Sequence, residues 1–172
     1  MIKQIDTLSH TPIGIEMIDK TDIRPTLQSI PWLMDLSPDQ LRELEKISGF
    51  RYLSTGEILF KEGDNDNLLY IVSEGSLGIE IYVPGQGQVC LYNAEPLDIV
   101  GWDRMTPVAR HRITTITAIQ KCNLIYFDGS ALNELCESDK ELGYILMRRL
   151  SNVIATRLLA MRIKLIDLFM QK

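Results

Sequence analysis

Between Gly56 and Ile79 the chain repeats one rhythm, a short apolar run followed by a corner built on glycine and acidic residues. Ile58, Leu59 and Phe60 stop at Glu62-Gly63-Asp64, and Leu69, Tyr70, Ile71 and Val72 stop at Glu74-Gly75. Glycine supplies the positive φ such corners need, while the β-branched and aromatic residues between them suit a pleated, half-buried surface. Strands this short and this regularly interrupted predict a barrel or a sandwich.

The pattern Gly56-Glu57-Ile58-Leu59-Phe60, then Glu62-Gly63-Asp64, then Tyr70-Ile71-Val72 with Gly75 and Leu77, resembles the front half of a cyclic-nucleotide-binding domain. Catabolite activator proteins and kinase regulatory subunits carry such domains. The match places several glycines and apolar positions at once, and it identifies a fold better than a function. It implies an α+β, mainly β fold: a double-stranded β-helix (jelly-roll) barrel over about residues 50–127, flanking helices and a long C-terminal helix. The expected organisation is an N-terminal extension over residues 1–30 followed by the domain over residues 31–172.

A chain of 172 residues suits one domain. Its apolar runs are broken by charge well before the roughly 18 residues that span a membrane, and Met1 to His10 lack an apolar signal core, so a cytoplasmic protein is expected. A formal net charge of −5 sets up no long-range attraction for nucleic acid. Cys90, Cys122 and Cys136 make no close-spaced ligand pair, and His10 and His111 are the only histidines. Reduced thiols are expected, with no metal site.

Along the chain, Ser37-Pro38-Asp39-Gln40 predicts a helix start with Ser37 as cap and Gln40 completing a capping box. Leu36 and Leu41 are placed for a hydrophobic staple, and Gly49 to end the helix. Strand signals follow at residues 78–83, 88–92, 113–119 and 123–127, with Pro84-Gly85-Gln86-Gly87 as a hairpin tip. Asp128-Gly129-Ser130 opens a short helix. Ser138 with Glu141 predicts a second capping box that launches the final helix, over about residues 138–170.

In that helix Tyr144, Met147, Ser151, Ile154, Leu158, Met161, Leu165 and Leu168 recur at spacings of three and four. Leu142, Ile145, Leu146, Leu150 and Val153 form a second face. One face for the barrel and one stripe for a partner helix predicts a homodimer through Ile154, Leu158, Met161 and Leu165; a single broad face packed within the monomer is the alternative. Arg148, Arg149, Arg157, Arg162 and Lys164 read as the solvated sides of the helix.

The resemblance implies a phosphate-binding cassette, in which a short turn and an arginine hold the nucleotide phosphate. Residues 98–118 occupy its place. Gly101 matches the cassette glycine, and Arg112, leading into Ile113 and Thr114, matches the phosphate arginine, with Arg110 as the alternative in another register. Three departures stand out. Trp102, whose indole only donates, replaces the glutamate that takes the ribose hydroxyl; Asp103 adds negative charge; and Ile113 stands where the family often has a small or hydroxylated residue. Arg112 has a second reading, pairing with Asp103 or Asp98 to staple the loop. His111 reads as an exposed loop residue.

Two functions follow as expectations. The first is a regulatory sensor module taking a small anionic ligand, a cyclic nucleotide being the family's, though the departures argue against ordinary cyclic AMP recognition. The second is a structural or protein-interaction dimer domain that binds no ligand, with an unknown downstream protein. Direct nucleic-acid binding is not expected, because the chain ends at Lys172 without a helix-turn-helix. Nor is an enzyme, since no nucleophile, phosphate-loop or metal-hydrolase motif is present; no catalytic residue and no cofactor are assigned.

Overall fold

The computed structural model describes residues 23–106 and 111–170. Helix α1 (Ile23–Ser29) opens it, followed by a 3-10 turn at Pro31–Leu33 and helix α2 (Pro38–Lys46). Eight strands come next, interrupted by one 3-10 turn at Trp102–Met105: β1 (Ser48–Leu53), β2 (Ile58–Phe60), β3 (Leu68–Glu74), β4 (Leu77–Val83), β5 (Gly87–Ala94), β6 (Ile99–Val100), β7 (Thr115–Ala118) and β8 (Cys122–Asp128). Helices α3 (Gly129–Ser138) and α4 (Lys140–Met170) close the chain. The strands form two antiparallel sheets, ordered β1-β8-β3-β6 and β2-β7-β4-β5. This is the mainly β jelly-roll barrel with flanking helices expected from the sequence.

The core is divided by the period of two along the strands. In β3, Leu69 and Ile71 join the helices, while Tyr70 and Val72 meet the other sheet. β8 divides likewise, Ile125 and Phe127 towards the helices and Cys122 and Leu124 towards the barrel interior. These strands are covered on both faces, so β3 reads as an unbroken apolar run rather than an alternation. The β3–β4 corner is built on Gly75, at φ 86°, where an added Cβ would lie 2.2 Å from the Lys121 carbonyl oxygen. Only glycine suits that close approach and that φ.

Several local expectations change in the folded chain. The extension expected over residues 1–30, irregular or weakly helical, is helical over Ile23–Ser29, and Ile23, Leu27 and Ile30, at i, i+4 and i+7, are buried in the core; Pro25 lies in the helix's first turn, where a missing N–H costs little. Residues 1–22 lie outside the described residues. Helix α2 starts with the Ser37–Gln40 capping box, but it ends before Gly49, which pairs in β1 beneath the Tyr126 ring. The expected Ser138 capping box does not start α4: Ser138 belongs to α3, and its hydroxyl donates to the Leu135 carbonyl. The cap is Asp139, whose carboxylate accepts from the backbone N–H groups of Glu141 and Leu142, both at 3.0 Å. Gln40 Nε2 also donates to Asp139 at 2.9 Å, joining α2 to the start of α4.

Candidate functional site

The site forms where the β2–β3 loop, the turn after β6 and the approach to β7 converge. The backbone of Arg112 is fastened to the β2–β3 loop by two hydrogen bonds of 2.9 Å, its N–H donating to the Asp64 carbonyl and its carbonyl accepting from Gly63. Arg112 and the two residues after it therefore stay out of the sheet, and β7 begins at Thr115 rather than at Ile113. Gly101 caps the 3-10 turn in the left-handed region at φ 77°. A Cβ there would lie 2.8 Å from both Arg112 Nη1 and the Leu68 carbonyl oxygen.

The Arg112 side chain is 1% exposed, and its guanidinium carbon lies 4.0 Å from the Phe60 ring centroid. A guanidinium has five N–H groups. Nε donates to Asp66 Oδ2 at 2.8 Å, and Nη2 donates to Asp66 Oδ1 and to the Leu68 carbonyl. Nη1 donates to the Gly101 carbonyl at 3.1 Å and to Asp103 Oδ1 at 2.8 Å. Five donors thus meet five acceptors, all supplied by the chain itself. Burial alone would lower the arginine's pKa, but Asp66 and Asp103 outweigh it and hold the cation above its ordinary range.

Asp103 is itself 4% exposed. Its second oxygen accepts from the Ile113 backbone N–H at 3.3 Å. The carboxylate therefore bridges the arginine and a backbone N–H, two donors of the kind a phosphate cradle offers. Of the two pairings anticipated for Arg112, the one with Asp103 forms. Asp98 instead accepts from the Tyr92 hydroxyl at 2.9 Å and from the Glu95 N–H at 3.0 Å. Arg110 lies outside the described residues, and His111 is exposed.

Beside this cluster is a cavity of about 50 Å³, whose lining includes Gly101, Trp102, Asp103, Ile113, Thr114, Arg157 and Met161. Four of the five predicted ligand residues line it, and Arg112 is buried behind Gly101 and Asp103. A pocket for a drug-sized ligand measures some 300–1,000 Å³. The cavity is far below that, and Trp102 offers the ribose a donor rather than an acceptor.

Two contributors escaped the sequence reading. Asp66, in the polar run Asp64-Asn65-Asp66-Asn67, is presented to Arg112 by an Asx-type bond from the Leu68 N–H at 3.3 Å. Arg157, read as solvated, is 6% exposed. Its Nη2 donates to the Ile99 carbonyl of β6, and its guanidinium carbon lies 5.3 Å from the Tyr92 ring centroid. Burial pulls its pKa down, opposed by Asp98 and Tyr92. The signal for this position was its spacing, because 157 continues the buried stripe of Leu146, Leu150 and Val153. The four predicted interface residues divide as well. Leu158 and Leu165 are 69% and 55% exposed, whereas Ile154 packs on the helix-side core and Met161 lines the cavity.

The family model for the cyclic nucleotide-binding domain matches residues 50–139, just over half of the chain. A putative cyclic nucleotide-binding protein from Geobacter metallireducens GS-15 has a similar structure, with 24% identity and a TM-score of 0.67 over 78% of this chain and 97% of that one. The sensor domain of the transcriptional regulator DNR from Pseudomonas aeruginosa is 22% identical, with a TM-score of 0.67 over 81% and 93%. The regulatory subunit of a cAMP-independent protein kinase A from Trypanosoma brucei is 15% identical, with a TM-score of 0.64 over 77% of this chain and 47% of that one. No curated protein sequence matches. With its two antiparallel sheets, its cassette turn and the family match over residues 50–139, the chain belongs to the cyclic nucleotide-binding domain family.

Proposed function

We propose that this chain is a cytoplasmic regulatory module in which the family's phosphate position is filled from within by the Asp103 carboxylate, and whose output is the placement and pairing of α4. The observation that carries this reading is the complete engagement of the five Arg112 N–H groups by acceptors of the chain itself. A nucleotide phosphate entering there must displace a buried carboxylate. Breaking a buried ion pair costs about 3–5 kcal/mol, which lowers affinity by roughly a hundred- to several-thousand-fold. The regulatory role itself follows the family. That a similar structure belongs to a kinase regulatory subunit described as cAMP-independent is in keeping with a fold that can regulate without this nucleotide.

A homodimer through α4 completes the reading. Leu158, Leu159, Ile163, Leu165 and Ile166 are all exposed on its second half, and so many exposed large apolar side chains on one segment favour a covering partner. A ligand or partner can act on α4 only through contacts that differ between two of its positions. Arg157 and Met161, which reach the cavity from α4, are the residues placed to make them.

Titration calorimetry with cyclic AMP and cyclic GMP tests the closed phosphate position. The expected result is no binding tighter than about millimolar. Micromolar binding that is lost in Arg112→Ala would overturn the reading, because it would show that the nucleotide displaces Asp103 at little cost.

A further inference from the structure

The two buried arginines of the site are in opposite electrostatic situations. Arg112 has two carboxylate partners and no spare donor. Arg157, also buried, has no carboxylate within ion-pair distance among the described residues and only the longer-range attraction of Asp98; the acceptor it has among them is the neutral Ile99 carbonyl, and its Nε has no partner there. A buried charge without a counterion is costly, and proteins that retain one generally supply an anion. The nearby Asp103 carboxylate is already committed to Arg112 and to the Ile113 N–H.

From this geometry we infer that the cavity between the barrel and α4 is a binding site for a small planar oxyanion, a monocarboxylate or nitrate-like ion, held by Arg157. The inference rests on the reading that cyclic nucleotides do not use this pocket. Size sets the class. A cavity of about 50 Å³ suits an ion of a few non-hydrogen atoms, such as acetate, nitrate or bicarbonate, rather than a nucleotide. The planar, forked guanidinium matches a two-oxygen edge. Thr114 and Trp102 belong to the same lining, and Ile79, Ile113, Ile116 and Met161 keep it largely apolar, which strengthens a charge pair formed inside. Since Arg157 and Met161 belong to α4, the anion would join that helix to the turn after β6.

The test follows thermal unfolding and tryptophan fluorescence in sodium acetate, nitrate and chloride at constant ionic strength. For the native chain, acetate or nitrate at about ten times its Kd should raise the unfolding midpoint by roughly 3–6 °C. The rise should be larger than in chloride and should be absent in Arg157→Met. A native chain that responds no more than Arg157→Met, or that does not distinguish the planar anions from chloride, overturns the site. Should circular dichroism show Arg157→Met unfolded, Arg157→Lys decides the matter: it keeps the charge but not the fork, so its preference for acetate over chloride should vanish, and an undiminished preference refutes the role of Arg157. Tight cyclic AMP binding in calorimetry would sink the underlying reading alone, because the anion response is measured without nucleotide.

Discussion

Replacing Asp103 by alanine separates a structural carboxylate from an incidental one. The side chain is almost wholly buried and makes two contacts, accepting at 2.8 Å from Arg112 Nη1 and at 3.3 Å from the Ile113 N–H. Removing one partner of a buried pair costs about 3–5 kcal/mol. Arg112 would keep Asp66 and two carbonyls, so the lower end applies, about 3 kcal/mol. For a chain of this size that is a fall of roughly 6–12 °C in the unfolding midpoint. Urea unfolding measures the free energy directly, and Asp66→Asn is the natural comparison, with a smaller loss expected because that carboxylate is 34% exposed. The alanine variant also frees one arginine N–H and the Ile113 N–H together, so inorganic phosphate should restore part of its stability while leaving the native chain unchanged. A loss below about 1 kcal/mol, the range of a surface pair, would refute the argument that Asp103 stands in for the phosphate.

The remaining predictions concern α4. Leu158→Glu should shift the protein towards monomer in sedimentation without unfolding it, because the side chain is 69% exposed in one protomer; an unchanged dimer mass would rule out this face. The Asp139 carboxyl is held below its ordinary range by the Leu142 N–H first and by Gln40 second. A carboxyl whose folded pKa is depressed stabilises the fold above its unfolded value, about 3.9, and loses that contribution as pH falls through the folded pKa. Asp139→Ala should therefore unfold at lower temperature than the native chain near neutral pH, and the gap should shrink in acid. A gap that widened on acidification would show that the carboxylate is not the cap.

The barrel was legible because its information is local. Glycine corners and runs of β-branched and aromatic residues are properties of consecutive positions, and the structure places strands at each of them. The Ser37–Gln40 capping box was legible for the same reason. Gly49 misled because a glycine after a helical pattern serves equally as a stop signal and as a place where a ring can lie against backbone, and Tyr126, which sits on it, is far away in sequence. Arg112 could be found from the cassette pattern, and its pairing with Asp103 could be listed among alternatives. Asp66 could not, being 46 residues distant from the arginine it neutralises. Arg157 was misjudged on residue type, since charge suggests solvent, although its position along α4 assigns it to the buried stripe. Such conflicts between residue type and position are themselves pointers to functional sites.

Helix α4 has 31 residues, and Arg157 lies a little past its midpoint, where the helix leaves the barrel's cover. The thirteen positions from there to Met170 extend about 20 Å at 1.5 Å per residue. If the helix pivots at Arg157 by only about 5°, its far end sweeps nearly 2 Å, comparable to the interface helix shifts that accompany switching in other proteins. On the proposed reading, α4 would act as a lever whose fulcrum is the buried charge of Arg157. An ion of a few atoms bound at that fulcrum would then be felt where two exposed helices would meet, without any rearrangement of the sheets.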